Sequence, residues 1–200
     1  FIQTVITSDE LRDIELISSI AGSEKWEIKD LFQRDVDHNR VENEIYPYLI
    51  DDKRVKFFNP LTLVILPKDP DTREVVTELE FLNKQEESIN GNIYSVFEKK
   101  GYYKMIIDQP NLDSNEQSTI YAEIKWNYNN CNIVAIDGQH RLSALKRWHD
   151  DNVQNEKIKS WKIPVVILNI YKDKESSNPP SLLEIVRNTS KKVRAELQGQ

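Results

Sequence analysis

The chain has 200 residues, of which 38% are hydrophobic and 30% charged, and only 5 are glycines; this excludes collagen-like, low-complexity and largely disordered classes and favours one hydrophobic core. A formal charge of −6 argues against a surface that wraps nucleic acid all over, leaving only local basic patches such as Lys146-Arg147 and the stretch Arg187 to Arg194. The lone Cys131 excludes an intramolecular disulfide and a cysteine-built zinc site, and no apolar run approaches the roughly 18 residues of a membrane span, so a soluble, cytoplasmic protein is expected.

Thr7-Ser8-Asp9-Glu10 has the spacing of a capping box, and Leu11, Ile14, Ile17 and Ile20 follow at helical steps before Gly22, which predicts a first helix. Ile28, Leu31, Phe32, Val41, Ile45 and Leu49 predict a second, ended or kinked at Pro47, so two helices are expected ahead of any sheet. A buried strand is expected from Phe57 to Leu66, flanked by Pro60 and Pro67. Further strands are expected from Val75 to Leu82 and from Tyr102 to Ile107, with a polar loop from Asn83 to Gly91 between them. Tyr121 to Trp126 alternates weakly, Asn127 to Asn130 is turn-prone, and Asn132 to Ile136 is the most strand-like run of the chain. Leu142, Leu145 and Trp148 then mark an amphipathic helix through Asp151. Ile163 to Ile170 reads as a buried strand with Pro164 at its start or at an edge. Strand, helix and strand in that order predict a βαβ unit with a right-handed crossover. Lys172 to Pro180 reads as a loop, followed by a helix capped by Ser181.

The segment Asp137-Gly138-Gln139-His140-Arg141 falls where the strand-like run becomes a helix. A helix N-terminus offers unpaired N–H groups and the positive end of the macrodipole to an anion. Gly138 allows close approach of a ligand to the backbone, His140 and Arg141 supply donors for phosphate oxygens, and Gln139 adds a neutral donor. Asp137 would repel a phosphate unless a positive group stood between them, for which Mg²⁺ is one candidate; alternatively Asp137 orients or deprotonates an attacking water. The bland alternative makes Asp137 a helix N-cap and His140 and Arg141 exposed first-turn side chains.

Ile136-Asp137-Gly138-Gln139-His140-Arg141-Leu142, with Ala144-Leu145 after it, resembles the name-giving motif of the DGQHR-domain family, which includes DndB-like regulators of DNA phosphorothioation. Leu31-Phe32-Gln33-Arg34, Arg40-Val41, Tyr48-Leu49 and Phe58-Asn59-Pro60 are similar to that family's helical lead-in. Ile163-Pro164-Val165 and Asn188-Thr189-Ser190-Lys191-Lys192-Val193 resemble its later landmarks. The resemblance implies an α+β fold like that of the ParB/sulfiredoxin superfamily: a helical lead-in over residues 1–50, and a mixed sheet over 51–200 containing the strand–DGQHR–helix–strand unit. Gly138-Gln139-His140-Arg141 matches the Gly-Cys-His-Arg of sulfiredoxin with Gln139 in place of the reactive cysteine, so redox chemistry is not implied. The lack of an initiating Met and a final Lys191-Lys192-Val193-Arg194 in mid-element suggest a piece of a longer protein.

The functional expectation is a regulator of prokaryotic DNA modification or phage defence. It binds a nucleoside triphosphate, ATP first among them, with Mg²⁺ at the DGQHR helix start, and acts as a possible NTPase. Gly138, Gln139, His140 and Arg141 are the phosphate ligands, Arg34 and Asn188 complete the site, and Asp137 is the metal-binding and catalytic carboxylate. The alternative is a DNA-binding repressor module whose Lys146, Arg147, Lys191 and Lys192 meet DNA phosphates, and a homo-oligomer is compatible with either. Nuclease action ranks below both, since no second carboxylate cluster accompanies Asp137. His38 and His149 read as ordinary polar helix residues, Cys131 as a buried small hydrophobe, and the four tryptophans as core or rim.

Overall fold

The computed structural model describes residues 2–20, 36–53, 55–76, 84–89, 92–108 and 121–168. Over these the protein is α+β, with two sheets. The larger sheet has five strands: β1 (Ile2–Thr7), β2 (Ile14–Leu16), β3 (Leu61–Pro67), β8 (Cys131–Asp137) and β9 (Lys162–Leu168), in the order β1-β9-β3-β8-β2. The smaller is an antiparallel meander of β4 (Lys84–Ile89), β5 (Asn92–Lys99), β6 (Tyr103–Asp108) and β7 (Ala122–Trp126). Helix α1 spans residues 38–50, α2 is Gln139–Asp151 and α3 is the single turn Glu156–Lys159.

The expected first helix does not form. The capping-box chemistry is present: Glu10 Oε2 accepts from the Thr7 amide at 2.6 Å and from its hydroxyl at 2.8 Å. It closes only a 3-10 turn, Glu10–Asp13, because the next residues, Ile14–Leu16, are taken up as an edge strand parallel to β8. Leu11, Ile14, Ile17 and Ile20 are all buried, so a turn, a strand and another turn reproduce the three-residue burial rhythm of a helix. Strand β1 ahead of them pairs with β9, so the N-terminal part of the lead-in belongs to the sheet.

The second helix survives in altered form. Asp37 caps it by accepting from the Arg40 amide, and an α turn His38–Arg40 opens into a π turn Val41–Ile45 before Tyr46–Ile50 returns to α geometry. Pro47 has no N–H to give the carbonyl one turn back, and it falls where a widened turn gives way to a new α turn, so the helix continues past it rather than stopping. The part of this prediction before residue 36 lies outside the described residues, as do the segments after 168.

Asn83 to Gly91, expected as loop, contains β4 over Lys84–Ile89. Its Lys84, Glu86 and Glu87 are what an exposed edge strand carries against unwanted pairing, and composition alone does not separate such a strand from a polar loop. Val75 makes only a bridge to Lys68, and the remainder of that expected strand is outside the described residues. The βαβ expectation is also corrected. β3 is antiparallel to β8 and parallel to β9, so β8 and β9, which flank β3, run in opposite directions. Pro164 is the third residue of β9, an interior strand, ahead of the point at which pairing with β3 begins at Val165.

One core joins sheet and helices: Leu63, Ile65, Ile133, Ala135, Ile163 and Val165 from the strands meet Leu142, Leu145 and Trp148 of α2 and Val41 and Leu49 of α1. A run of edge-to-face rings, Tyr48–Phe58 at 5.5 Å, Phe58–Trp161 at 5.7 Å and Trp161–Trp148 at 4.9 Å, ties α1, the segment before β3, the start of β9 and α2 together. His149 is more than an ordinary helix residue. It is buried, with Nδ1 3.3 Å from Ser8 Oγ and Nε2 3.4 Å from Asp9 Oδ1, while Ser8 Oγ donates to the Ile158 carbonyl at 2.5 Å. Leu145, fully buried, is the sharpest test of this core: Leu145→Ala should cost about 2–5 kcal/mol in urea unfolding, whereas Val5→Ala on the exposed edge should stay within about 0.5 kcal/mol.

Candidate anion-binding cleft

The site forms where three chain segments meet at one end of the large sheet. Thr62 pairs with Asp137 but Leu63 pairs with Ala135, so Ile136 is an extra residue, and this bulge directs the last side chain of β8. Gly138 follows with φ +87° and ψ 22°, the left-handed turn that lets α2 start at once, and its carbonyl accepts from the Leu142 amide at 2.8 Å. A Cβ on Gly138 would stand 2.6 Å from Leu61 Cδ2 and 2.9 Å from Arg141 Nη2, so glycine is required by both conformation and space. No side chain caps the helix, which leaves its first-turn amides without an acceptor inside the helix.

Arg141, half-buried in the first turn, reaches back one turn. Its Nη2 donates to Asp137 Oδ2 at 2.8 Å, and its Nη1 donates to the carbonyls of Asn59 at 2.5 Å and Pro60 at 3.4 Å. The positive group beside Asp137 is therefore Arg141 itself. Asp137 is not the N-cap, a position held by Gly138, and Arg141 is not a loose first-turn side chain.

Asp137, Gly138, His140 and Arg141 line a cleft of about 470 Å³ together with Arg40 and Ile45 of α1 and the segment 57–59. Four of the five motif residues thus share a cavity, while Gln139 is buried and outside its lining. Arg40, placed by the sequence in the helical lead-in and given no role at the site, is the contribution that sequence reasoning undervalued. It lies on the exposed face of α1 and pairs loosely with Glu44 at 3.5 Å. Its nearest signal was its place beside Val41 in the helical lead-in. Phe57, also missed, forms part of the rim and is strongly exposed.

The other expected ligands separate. Arg34, Asn188, Lys191 and Lys192 lie outside the described residues. Lys146 and Arg147 are not in the cleft. Lys146 is half-buried, its Nζ 3.5 Å from the Arg12 carbonyl, and burial pushes its ammonium below the ordinary range. Arg147 is held by Glu42, lies 3.7 Å from Asp151 and stacks over the Tyr46 ring at 4.4 Å. Its charge is spent on fastening α2 to α1. Among the described residues no group of three or more His, Cys, Asp or Glu side chains converges, and Asp137 is the one carboxylate of the cleft. These residues fit a Mg²⁺ carried in on phosphate oxygens and touching one carboxylate, and they do not build a protein cage for a metal.

Comparison with family models, with curated proteins and with solved structures returns no match. Among the described residues no helix is long and apolar enough to cross a membrane.

Two outcomes follow from this geometry. Gly138→Ala should lower stability by more than the about 1–3 kcal/mol of a left-handed non-glycine residue, because the contact with Leu61 adds to it; differential scanning calorimetry of the two proteins reads the difference. Cys131 is buried and its thiol is pushed up to about 11, so at pH 8 almost none is thiolate, and iodoacetamide should label it only after unfolding.

Proposed function

We propose that the cleft binds a nucleoside triphosphate, as the resemblance to DGQHR-domain proteins implies, within a cytoplasmic regulator of DNA modification or phage defence. The observation that carries this reading is the convergence of Arg40, His140 and Arg141 on the uncapped N-terminus of a thirteen-residue helix whose first residue in the turn is glycine. Cationic side chains, backbone amides and the helix dipole then all favour the same charge at the same place. Phe57 on the rim offers a ring for the base. Arg40 and His140 are the ligands that meet the phosphates, while Arg141 positions the site by holding Asp137 and the Asn59 carbonyl.

That division of labour favours binding over hydrolysis as the primary act, since the carboxylate expected to handle water is already committed to Arg141. It also makes a repressor surface built on Lys146 and Arg147 the weaker alternative, because both are occupied within the fold.

The test is a thermal-shift panel of ATP, GTP and CTP with Mg²⁺. A ligand at a hundred times its Kd stabilises by about 2.7 kcal/mol, which for a chain of this size raises Tm by roughly 5–10 °C. Arg40→Ala should stay close to the wild-type Tm without ligand, and both Arg40→Ala and His140→Ala should lose most of the shift. Arg141→Ala should lower Tm even without ligand. If no nucleotide moves Tm, the triphosphate reading is wrong.

A further inference from the structure

The segment between α1 and β3 carries two large apolar side chains in water. Val55 is 91% exposed and Phe57 77%, although the backbone that bears them is pinned. Tyr48 Oη accepts from the Phe57 amide at 2.6 Å, donates to the Val55 carbonyl at 3.0 Å and lies 3.3 Å from the Phe57 carbonyl. Exposure then alternates strictly from residue 55 to residue 60, so Val55 and Phe57 face out together while Phe58 turns in against Tyr48 and Trp161. Lys56 also turns inward, donating to the Asp51 carbonyl and lying over the Tyr48 ring at 5.4 Å. A fixed scaffold that holds out apolar side chains is a binding device rather than a frayed loop.

The charge around this pair points to the partner. Phe57 belongs to the cleft that Arg40, His140 and Arg141 line, and Asp52 and Lys53, both exposed, come two to three residues before Val55 in the chain. A cationic cleft beside an exposed aromatic and aliphatic step matches a polyanion whose flat, unpaired bases are spaced along a backbone. A duplex hides those faces inside its stack, and an acidic peptide has none.

From this juxtaposition we propose that the rim formed by Lys53, Val55 and Phe57 binds single-stranded nucleic acid. One base stacks on Phe57, the next lies against Val55, and the phosphate between enters the cleft toward Arg40 and His140. The proposal rests on the reading of the cleft as a phosphate site and extends its ligand from a nucleotide to a strand.

Fluorescence anisotropy with a labelled dodecamer of thymidylate, its duplex with the complementary strand, and thymidine monophosphate as competitor tests this on the full chain, beside the ATP thermal shift. The single strand should bind at least tenfold more tightly than the duplex or the mononucleotide, and its affinity should fall with salt. Val55→Asp, at a side chain in open solvent, should weaken the strand roughly tenfold and leave the ATP shift unchanged. Phe57→Ala should weaken the strand by a similar factor. Equal binding of duplex and single strand, strand affinity no better than that of the mononucleotide, or indifference to Val55→Asp overturns the proposal. So does a dimer in sedimentation that Val55→Asp dissociates, since the surface would then be covered by a second copy. If strand binding fails while the ATP shift persists, the nucleotide reading stands without this extension. If the strand binds as described and ATP gives no shift, the strand surface stands and the triphosphate reading falls.

Discussion

The contact on which the site depends is the reach of Arg141 back across the first turn of α2. With one guanidinium it holds the carboxylate that ends β8 and two carbonyls that precede β3. Asn59 and Pro60 leave the preceding segment with acceptors facing the sheet end, and a planar fork of five donors can serve several acceptors at once where an ammonium cannot hold that geometry. The pair is half-buried, so its net worth to stability is modest. Its effect is positional: it sets where the strand end, the helix start and the loop wall stand relative to one another, and the cleft is the space left among them.

A second fastening sets the remaining wall. Arg147 joins α2 to α1 through Glu42 and the face of Tyr46, and Tyr46 itself donates to Asp151 at 2.5 Å. The same hydrogen bond and carboxylate push the Tyr46 phenol above its ordinary value. Arg40, a turn before Tyr46, is thereby carried on a helix whose distance from the DGQHR turn is fixed by side chains. The π turn at Val41–Ile45 lies between them, and such turns recur where a helix must rotate a functional side chain without ending.

The strands with uniform apolar runs were legible in the sequence because nothing else competes for them: β3 and β8 are buried on nearly all of both faces, β9 buries Ile163, Val165 and Ile167 on one, and β8 ends within one residue of where its composition ends. The helix α2 was legible from Leu142, Leu145 and Trp148 alone. Partner-dependent elements were not. Ile14–Leu16 is a strand because β8 offers it a free edge, and β4 is a strand because β5 does. Neither edge is visible locally. The direction of β9 was misjudged for the same reason, since β3, arriving from far upstream, inserts between it and β8. At the site, the motif's location at a strand–helix junction was readable, while the Arg141 bond to Asn59 spans 82 residues and the exposure of Phe57 depends on what Tyr48 does.

Each position of the motif has a separate physical reason. Asp137 follows a bulge that turns it toward the helix rather than along the sheet. Gly138 is fixed by a left-handed turn hemmed in by Leu61 and Arg141. Gln139 is buried and His140 half-buried on the cleft, two neighbours whose directions differ by the 100° step of the helix. Arg141 stands four residues after Asp137, a spacing at which side chains on a helical turn meet, and its guanidinium returns to the strand end. Exchanging Asp137 and Arg141 would put a carboxylate against the Asn59 and Pro60 carbonyls, acceptor against acceptor, and open the wall. The order of charges is thus dictated by the loop before β3, so the five residues function as a motif only in a fold that brings those carbonyls to them.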